Sequence, residues 1–467
     1  MGADGMLAVE DTMSQERHEI DRREFVGRGV KVAGAAALLP LAASVGVSAA
    51  PPSGKWRLVL VGTGSRGSST WGKALMETHA EHVELVGLCD INRKRAEYAR
   101  GYIGLDVPVY HSGDFEKMIR ETAPDAVLVT TTDCFHSDYV VAALDLGCDA
   151  ISEKPLATEV EQCQAILEAE KRSGRRVLTT FNARHGAVSE EIKKVLMSGE
   201  LGRIISAEFH EYLDVQHGAS YFRRWHGKKR FSGSLLVHKA SHHFDQMNWW
   251  LEAEPARVHA FGGVEFYGGN GSFRSRRCRG CPFQERCDFH WDITTSERLM
   301  DLYVRCESED GYFRDGCVWD NAIDTYDAMT VEVRYGNGTL LNYSLNAYMP
   351  YEGQSIAFNG EKGRLDVRIF DRQPWEVDRA GDLRLTKIFG DTRTWAVQRG
   401  TGEHGGADRK LKDSMFVPEQ ADPLGQRAGS REGVLSSLIG IAARTSIETG
   451  ETVEIGDLVT IPPAWPG

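Results

Sequence analysis

The stretch LVLVGTGSRGSST, residues 58–70, decides the fold. Leu58–Val61 is an unbroken apolar run, as expected of a strand buried on both faces of a parallel sheet. Gly62, Gly64 and Gly67 follow in G-x-G-x-x-G spacing, and residues 69–79 read as a helix. A glycine triplet alone says little; placed between a strand and a helix it says much more. There the glycines permit a tight turn, and the loop amides, with Ser65 and Arg66 among them, can approach a pyrophosphate at the helix N-terminus. The next strand, VELVGLCD, ends in Asp90. An acid about 20 residues past the loop can accept hydrogen bonds from an adenosine ribose and repels a 2′-phosphate, which favours NAD over NADP.

Strand and helix go on alternating. DAVLVTTTDCFH, CDAISEKPLA and RRVLTTFNARH read as strands running out into polar loops, with helices between them. This implies a doubly wound parallel sheet whose ligand lies beyond the carboxyl ends of its strands. Thr131, His136, Glu153, Lys154, Asn182 and Arg184 all fall just past strand ends, so they are expected at the cofactor crevice. On this reading Lys154 faces the crevice and not bulk water.

Bulk composition agrees. The chain has 467 residues, 41% hydrophobic and 26% charged, enough for two or three globular domains. A net charge of −12 argues against a nucleic-acid partner. Arg22 and Arg23, an Ala/Gly/Leu-rich run and a small-residue site at Val47–Ala49 resemble a twin-arginine export signal over residues 1–49. The expected location is therefore the periplasm or another extracytoplasmic space, with no stable membrane span after processing.

Three features together are similar to one family: the glycine loop, EKP after a later strand, and GRIISAEF (202–209) opening a second sheet. This is the glucose–fructose oxidoreductase/inositol dehydrogenase/rhizopine-catabolism (Gfo/Idh/MocA) family. The resemblance implies a Rossmann domain over 50–180. Over 181–467 it implies an α+β domain with a largely antiparallel, open-faced sheet, which builds subunit contacts in a homo-oligomer. It implies that Lys154 is catalytic and acts with a histidine beside the nicotinamide. In HKASHHFD (238–245), His242 and Asp245 match the family's histidine and second acid, while His238 stands where an aspartate is usual. Read from spacing alone, His238 and His242 share one helix face. They could then be an acid–base pair, a metal site, or polar groups satisfied in an interface.

The second domain brings candidates for the substrate. YFRRWHGKKRF (221–231) combines aromatics and cations in the way surfaces that grip polar rings do, which nominates Tyr221, Arg223, Arg224 and Trp225. Asp245 and His404, the latter in a Gly-rich turn, join them. A Cys-rich insert at about 270–320 carries Cys278, Cys281 and Cys287 in C-x-x-C-x₅-C spacing. Zinc or disulfides are both expected ways of stapling it, with inert thiols as the remaining reading.

The function expected is hydride transfer between a tightly bound nicotinamide cofactor and a sugar hydroxyl, with Lys154, His238 and His242 handling protons. An exported enzyme has no soluble NAD pool to draw on, so its cofactor must be restored within the cycle. Redox-neutral cleavage of a glycoside through a transient keto-sugar is the alternative enzyme reading. A non-catalytic NAD- and sugar-binding sensor is the alternative from another class.

Overall fold

The computed structural model describes residues 54–461, so the expected export signal at 1–49 lies outside the described residues. The first domain is a six-stranded sheet of β1 (Trp56–Val61), β2 (Val83–Asp90), β3 (Val109–His111), β4 (Ala126–Val129), β5 (Asp149–Ser152) and β6 (Val177–Thr179). Their order is β3-β2-β1-β4-β5-β6, with every pairing parallel. Strand order reverses between β1 and β4, which opens a crevice at their carboxyl ends. The glycines hold the turn there. Gly62 has φ +90°, and a Cβ on it would lie 2.7 Å from the Thr130 backbone. A Cβ on Gly67 would lie 2.1 Å from the Gly62 carbonyl oxygen. No other residue lets the loop fold so tightly against the end of β4.

The second domain is a nine-stranded mixed sheet. Its strands are β7 (Ile204–Asp214), β8 (Pro255–Gly263), β9 (Ala328–Tyr335), β10 (Leu340–Met349), β11 (Glu352–Gly360), β12 (Gly363–Arg372), β13 (Arg379–Lys387), β14 (Thr392–Gln398) and β15 (Val453–Glu454). The order is β14-β13-β12-β11-β7-β10-β9-β8-β15, with β7 and β10 parallel and the other pairs antiparallel. In β9, Met329, Val331, Val333 and Tyr335 point inward while the residues between them are exposed or half-buried. This alternation gives one face to the core and the other to solvent. The buried face packs on the helices Ser241–Leu251 and Ser430–Thr449, whose Phe244, Trp250, Leu438 and Ile439 belong to the same core.

The sheet of the first domain ends with β6 at Thr179, and a later helix packs against it. The helix Ala407–Phe416 returns to it, burying Leu411 and Phe416 against Trp56, Leu58 and Trp71. Among the described residues no disulfide staples the insert. The insert's cysteines, Cys278, Cys281, Cys287, Cys306 and Cys317, are free thiols. Among the described residues no group of three or more His, Cys, Asp or Glu side chains is placed to hold a metal. Ion pairs and aromatic packing fix the segment instead. Arg279 pairs with Asp315 at 3.0 Å and also with Glu307, and Phe289 packs edge-on to Trp319 with ring centroids 5.3 Å apart. Cys278 Sγ accepts a hydrogen bond from Arg223 at 3.2 Å. Among the described residues no helix is long and apolar enough to cross a membrane.

Candidate active site

The crevice opens into one cavity of about 1990 Å³. Single-ligand pockets commonly run to roughly 1,000 Å³, so this space suits two ligands side by side. The first domain supplies Gly62, Gly64, Asp90, Thr131 and Lys154 as lining, the second supplies Tyr221 to His226 and His238 to His243, and the insert roofs it with Tyr303 to Arg314.

Lys154 leaves the end of β5 and reaches across the domain boundary, its Nζ donating to the His238 carbonyl at 2.8 Å. Burial disfavours its charged form. That effect outweighs the carboxylates of Asp133 and Glu153, and the amine sits at about 8. Lys239 and Arg66 push the same way as burial. Lys154 therefore sits half-buried at the cavity wall and is not a solvated surface charge. His136 fixes the backbone around it, since its ring nitrogens face the Pro155 carbonyl at 2.7 Å and the Thr131 carbonyl at 3.2 Å.

The two histidines lie on separate elements. A short helix, Leu235–His238, ends at His238, and a second, Ser241–Leu251, carries His242 in its first turn. They do not share a continuous helix face, yet both line the cavity. His242 Nδ1 is buried with no hydrogen-bond partner, and its ring lies edge-on to Phe181 at 6.0 Å. Burial first, and then the nearby Lys154, hold both His242 and His238 well below the usual imidazole range, so both rings are neutral at pH 7. His238 Nδ1 lies 2.6 Å from the carboxylate of Asp133, in the loop after β4. Burial raises the Asp133 carboxyl, while Lys154 and Arg224 oppose the rise. Deeper in the wall, Lys239 pairs with the buried Glu211 at 3.2 Å, an attraction that overcomes burial and keeps the lysine charged.

The dinucleotide end fits the group expected there. The loop's packing positions are closed to any side chain, whereas a Cβ on Gly64 would meet only the Tyr303 hydroxyl, at 3.5 Å. The middle of the loop thus faces the cavity, ready for a pyrophosphate. Asp90 does not present a free carboxylate to a ribose. One oxygen accepts from the Thr63 amide and hydroxyl at 2.7 and 2.8 Å, the other from the Asn92 amide at 2.8 Å and Arg95 at 3.2 Å. Its lone pairs are spent on shaping the end of β2. The insert lies across this end as a strap. The Tyr303 hydroxyl accepts from the Ser65 amide at 2.9 Å, the Cys306 carbonyl accepts from the Asn92 side chain at 2.9 Å, and Asp310 pairs with Arg95 at 2.6 Å.

Several other expected residues converge elsewhere. Arg66 is held between Glu153 at 2.7 Å and Asp408 at 2.9 Å. Asn182 donates to the same Asp408 at 2.8 Å, and His404 bonds it at 2.7 Å, so three expected residues meet at a carboxylate that sequence reasoning missed. Arg184 and Asp245 do not line the cavity. They form a buried bidentate pair at 2.6 and 2.7 Å, which removes both from cofactor and substrate contact. Tyr221 stacks on His217 at 5.0 Å and meets His238 edge-on at 5.4 Å. Trp225 stacks on His226 at 3.5 Å, and Arg224 lines the cavity beside it. Arg223 also lines the cavity, but its guanidinium is tied to Cys278 and to the Phe289 carbonyl. Asp133, Asp408 and Tyr303 were missed because each reaches the site through a tertiary contact. Asp133, in the loop TTTDCFH, and Asp408, at the end of EHGGAD, stood near residues already singled out.

Residues 56–181 match the family model "Oxidoreductase family, NAD-binding Rossmann fold", and residues 193–455 match "Oxidoreductase family, C-terminal alpha/beta domain". YteT of Bacillus subtilis (strain 168), which carries an oxidoreductase name, is 32% identical over 422 residues, covering 86% of this chain and 98% of its own. The inositol 2-dehydrogenase of Salmonella typhimurium is 27% identical over 180 residues, covering 38% of this chain and 50% of its own. Among solved structures, the WlbA dehydrogenase of Bordetella pertussis in complex with NADH and UDP-GlcNAcA superposes with a TM-score of 0.58. It does so at 20% identity, over 86% of this chain and 98% of its own, a likeness of fold. The chain therefore belongs to the Gfo/Idh/MocA oxidoreductase family, with an NAD-binding Rossmann domain followed by the family's C-terminal α/β domain.

Proposed function

We propose that the protein transfers hydride between a tightly held NAD and a hydroxyl of a sugar or sugar derivative. The observation that carries this reading is the meeting, in one two-ligand cavity, of a lysine at about 8 and a neutral histidine whose Nδ1 has no partner. Bound NAD supplies the hydride acceptor and donor. The chain does the rest. The loop from Gly62 to Gly67 seats the pyrophosphate. Lys154, oriented by the His238 carbonyl, takes the hydroxyl proton when its amine is neutral and returns it in the reverse direction. His242 accepts or donates a hydrogen bond at the same hydroxyl and keeps the substrate carbon facing the cofactor. The inositol 2-dehydrogenase among the relatives supports a polyol or sugar-like substrate.

A second reading is favoured by a specific observation, the His238–Asp133 pair. Simple oxidation needs one proton-transfer group, whereas cleavage through a transient keto-sugar needs a second, to remove an adjacent C–H proton and later return it. The export signal expected at residues 1–49 belongs to this proposal too, since an exported enzyme would have to restore its cofactor without releasing it. One experiment separates the schemes. Purified protein, with no NAD added, is incubated with a panel of aryl glycosides and a panel of free sugars. Sugar oxidation coupled to reduction of a second sugar supports oxidoreduction. Aglycone release without net nicotinamide reduction replaces it with the glycosidase reading. Absence of any turnover, with NAD still bound, leaves the sensor.

A further inference from the structure

The cavity's cations divide into two sets. Arg66, Arg95, Lys228 and Lys239 are each paired with a carboxylate. Arg223, Arg224, Arg230, Arg276, Arg314 and Arg399 also line the cavity, and among the described residues none of them has a carboxylate within ion-pair distance; Arg223 is tied to Cys278 and the Phe289 carbonyl, while Arg224 and Arg314 are close enough to act on each other. Arg224 is held by one bond, from its Nε to the Ser220 carbonyl at 2.6 Å, and its guanidinium lies over the Tyr221 ring at 5.3 Å. Arg314 lies over the Tyr303 ring at 5.0 Å, and its Nε is buried with no partner. Stacking on a ring fixes the plane of a guanidinium while leaving its outer N–H groups to an incoming ligand. Two guanidiniums in one recess also repel each other. Burial and then Arg314 bring Arg224 down to about 10. In a chain of net charge −12 with 67 acidic residues, leaving two such groups without an acid is costly unless a ligand supplies one.

Their position indicates which ligand. Arg224 follows Tyr221, whose ring meets His238, and its charge acts on His226, His238 and Asp133. It therefore belongs to the end of the cavity where protons are handled. Arg314 approaches the same space from the insert. We propose that Arg224 and Arg314 form an anion subsite for the substrate, and that the substrate is a sugar acid, a uronate or uronate-terminated glycoside. The two arginines hold its carboxylate while a ring hydroxyl faces Lys154 and His242. A guanidinium meets a carboxylate through paired N–H···O bonds, so the subsite fixes the ring's orientation as well as its charge. This inference rests on the sugar reading above and narrows it.

The test is calorimetric titration of the NAD-bound protein with D-glucuronate, D-galacturonate and their methyl glycosides, against the matching neutral sugars. The acids are expected to bind about tenfold or more tightly than the neutral sugars, with the margin shrinking at high salt. Arg224→Gln and Arg314→Gln should each erase most of that margin while NAD affinity stays within about twofold. Wild-type protein that binds neutral sugars as well as acids overturns the subsite but leaves the sugar reading intact. Variants that lose NAD while the acid preference survives also overturn it, by assigning the guanidiniums to the dinucleotide's pyrophosphate. Wild-type protein that binds neither kind of sugar removes the sugar reading and the subsite together.

Discussion

His238 Nδ1 and Asp133 Oδ2 lie 2.6 Å apart, joining residues 105 positions apart in sequence and two different domains. The family pattern that HKASHHFD resembles implies an aspartate where His238 stands. Here an imidazole takes that place and a carboxylate approaches it from the loop after β4. The pair keeps an acid beside Lys154 while adding a group that carries a proton between two nitrogens.

Asp133→Asn is expected to keep NAD bound and to slow turnover by about tenfold to a hundredfold, since it removes the partner that orients His238. It also removes the carboxylate that favours charged Lys154. The pH–rate limb belonging to Lys154 should then move to lower pH. Steady-state rates over pH 6–10, beside an NAD titration, check both. Unchanged rates at every pH would reduce the pair to a packing contact.

Lys154 itself gives a pH dependence of definite sign. Its amine must be neutral to take a proton from the substrate, and burial sets it at about 8. The rate of substrate oxidation should rise as pH increases through about 8 and then level, and the reverse reduction should fall over the same range. Lys154→Ala should abolish this limb and cost about 10²-fold or more in turnover with little change in NAD affinity. Full activity in that variant would return Lys154 to an ordinary structural lysine.

The first domain was readable because each of its signals is local. The run Leu58–Val61, the glycines at 62, 64 and 67, and the acid at 90 follow one another within one strand–helix–strand unit. Lys154 was readable as soon as β5 was placed, because the end of a parallel strand has only one place to go. Partner choice was not readable. Nothing near Asp90 says that Thr63, Asn92 and Arg95 take up its oxygens, and nothing near Arg184 says that Asp245 does the same for it. Asp90 was nominated for its place past the glycine loop and Arg184 for its place past a strand end, and position alone does not show the tertiary partners that each takes. The cysteines misled for a related reason. C-x-x-C spacing is a strong signal only if the backbone brings the thiols together, and here arginine–carboxylate pairs shape the insert first.

Arg184 and Asp245 therefore yield a stability prediction in place of a kinetic one. Both side chains are buried, 3% and 1% exposed, and each satisfies the other in bidentate geometry. Asp245→Ala strands a buried guanidinium and should destabilise the fold by about 3–5 kcal/mol. Arg184→Met with Asp245→Leu should recover much of that loss, because an apolar pair of similar volume leaves no charge unpaired. Thermal unfolding of the two variants measures the difference. A single variant as stable as wild type, but with weakened substrate binding, would restore Asp245 to the substrate site.

The saturation of Asp90 changes what its removal should do. With a free carboxylate, Asp90→Ser would shift preference from NAD toward NADP. With its oxygens engaged by Thr63, Asn92 and Arg95, the same change leaves buried donors without partners and loosens the end of β2. The expected result is weaker binding of both dinucleotides, by about tenfold or more, without a switch between them. Parallel titrations with NAD and NADP decide it, and a clean switch in preference would show that Asp90 does reach the ribose.

The strap gives the last prediction. Arg95 lies between Asp90 at 3.2 Å and Asp310 at 2.6 Å, while Tyr303 from the same segment accepts the Ser65 amide hydrogen. A dinucleotide that uses that amide must displace the Tyr303 hydroxyl, and one that leaves must pass the segment between Tyr303 and Asp310. Holding this segment down slows both events without touching the chemistry at Lys154. Asp310→Asn removes the charge that pairs with Arg95 but leaves Arg95 with Asp90, so the first domain keeps its shape and only the strap loosens. A hydrogen bond to a charged group contributes roughly 1.5–3 kcal/mol, which predicts exchange about tenfold to a hundredfold faster. Release of bound NADH, followed by its fluorescence after addition of excess NAD, measures the rate directly, and a thermal melt confirms that the variant is folded. Exchange that stays as slow as in wild type would mean that the insert only decorates the cavity and that the glycine loop alone retains the cofactor.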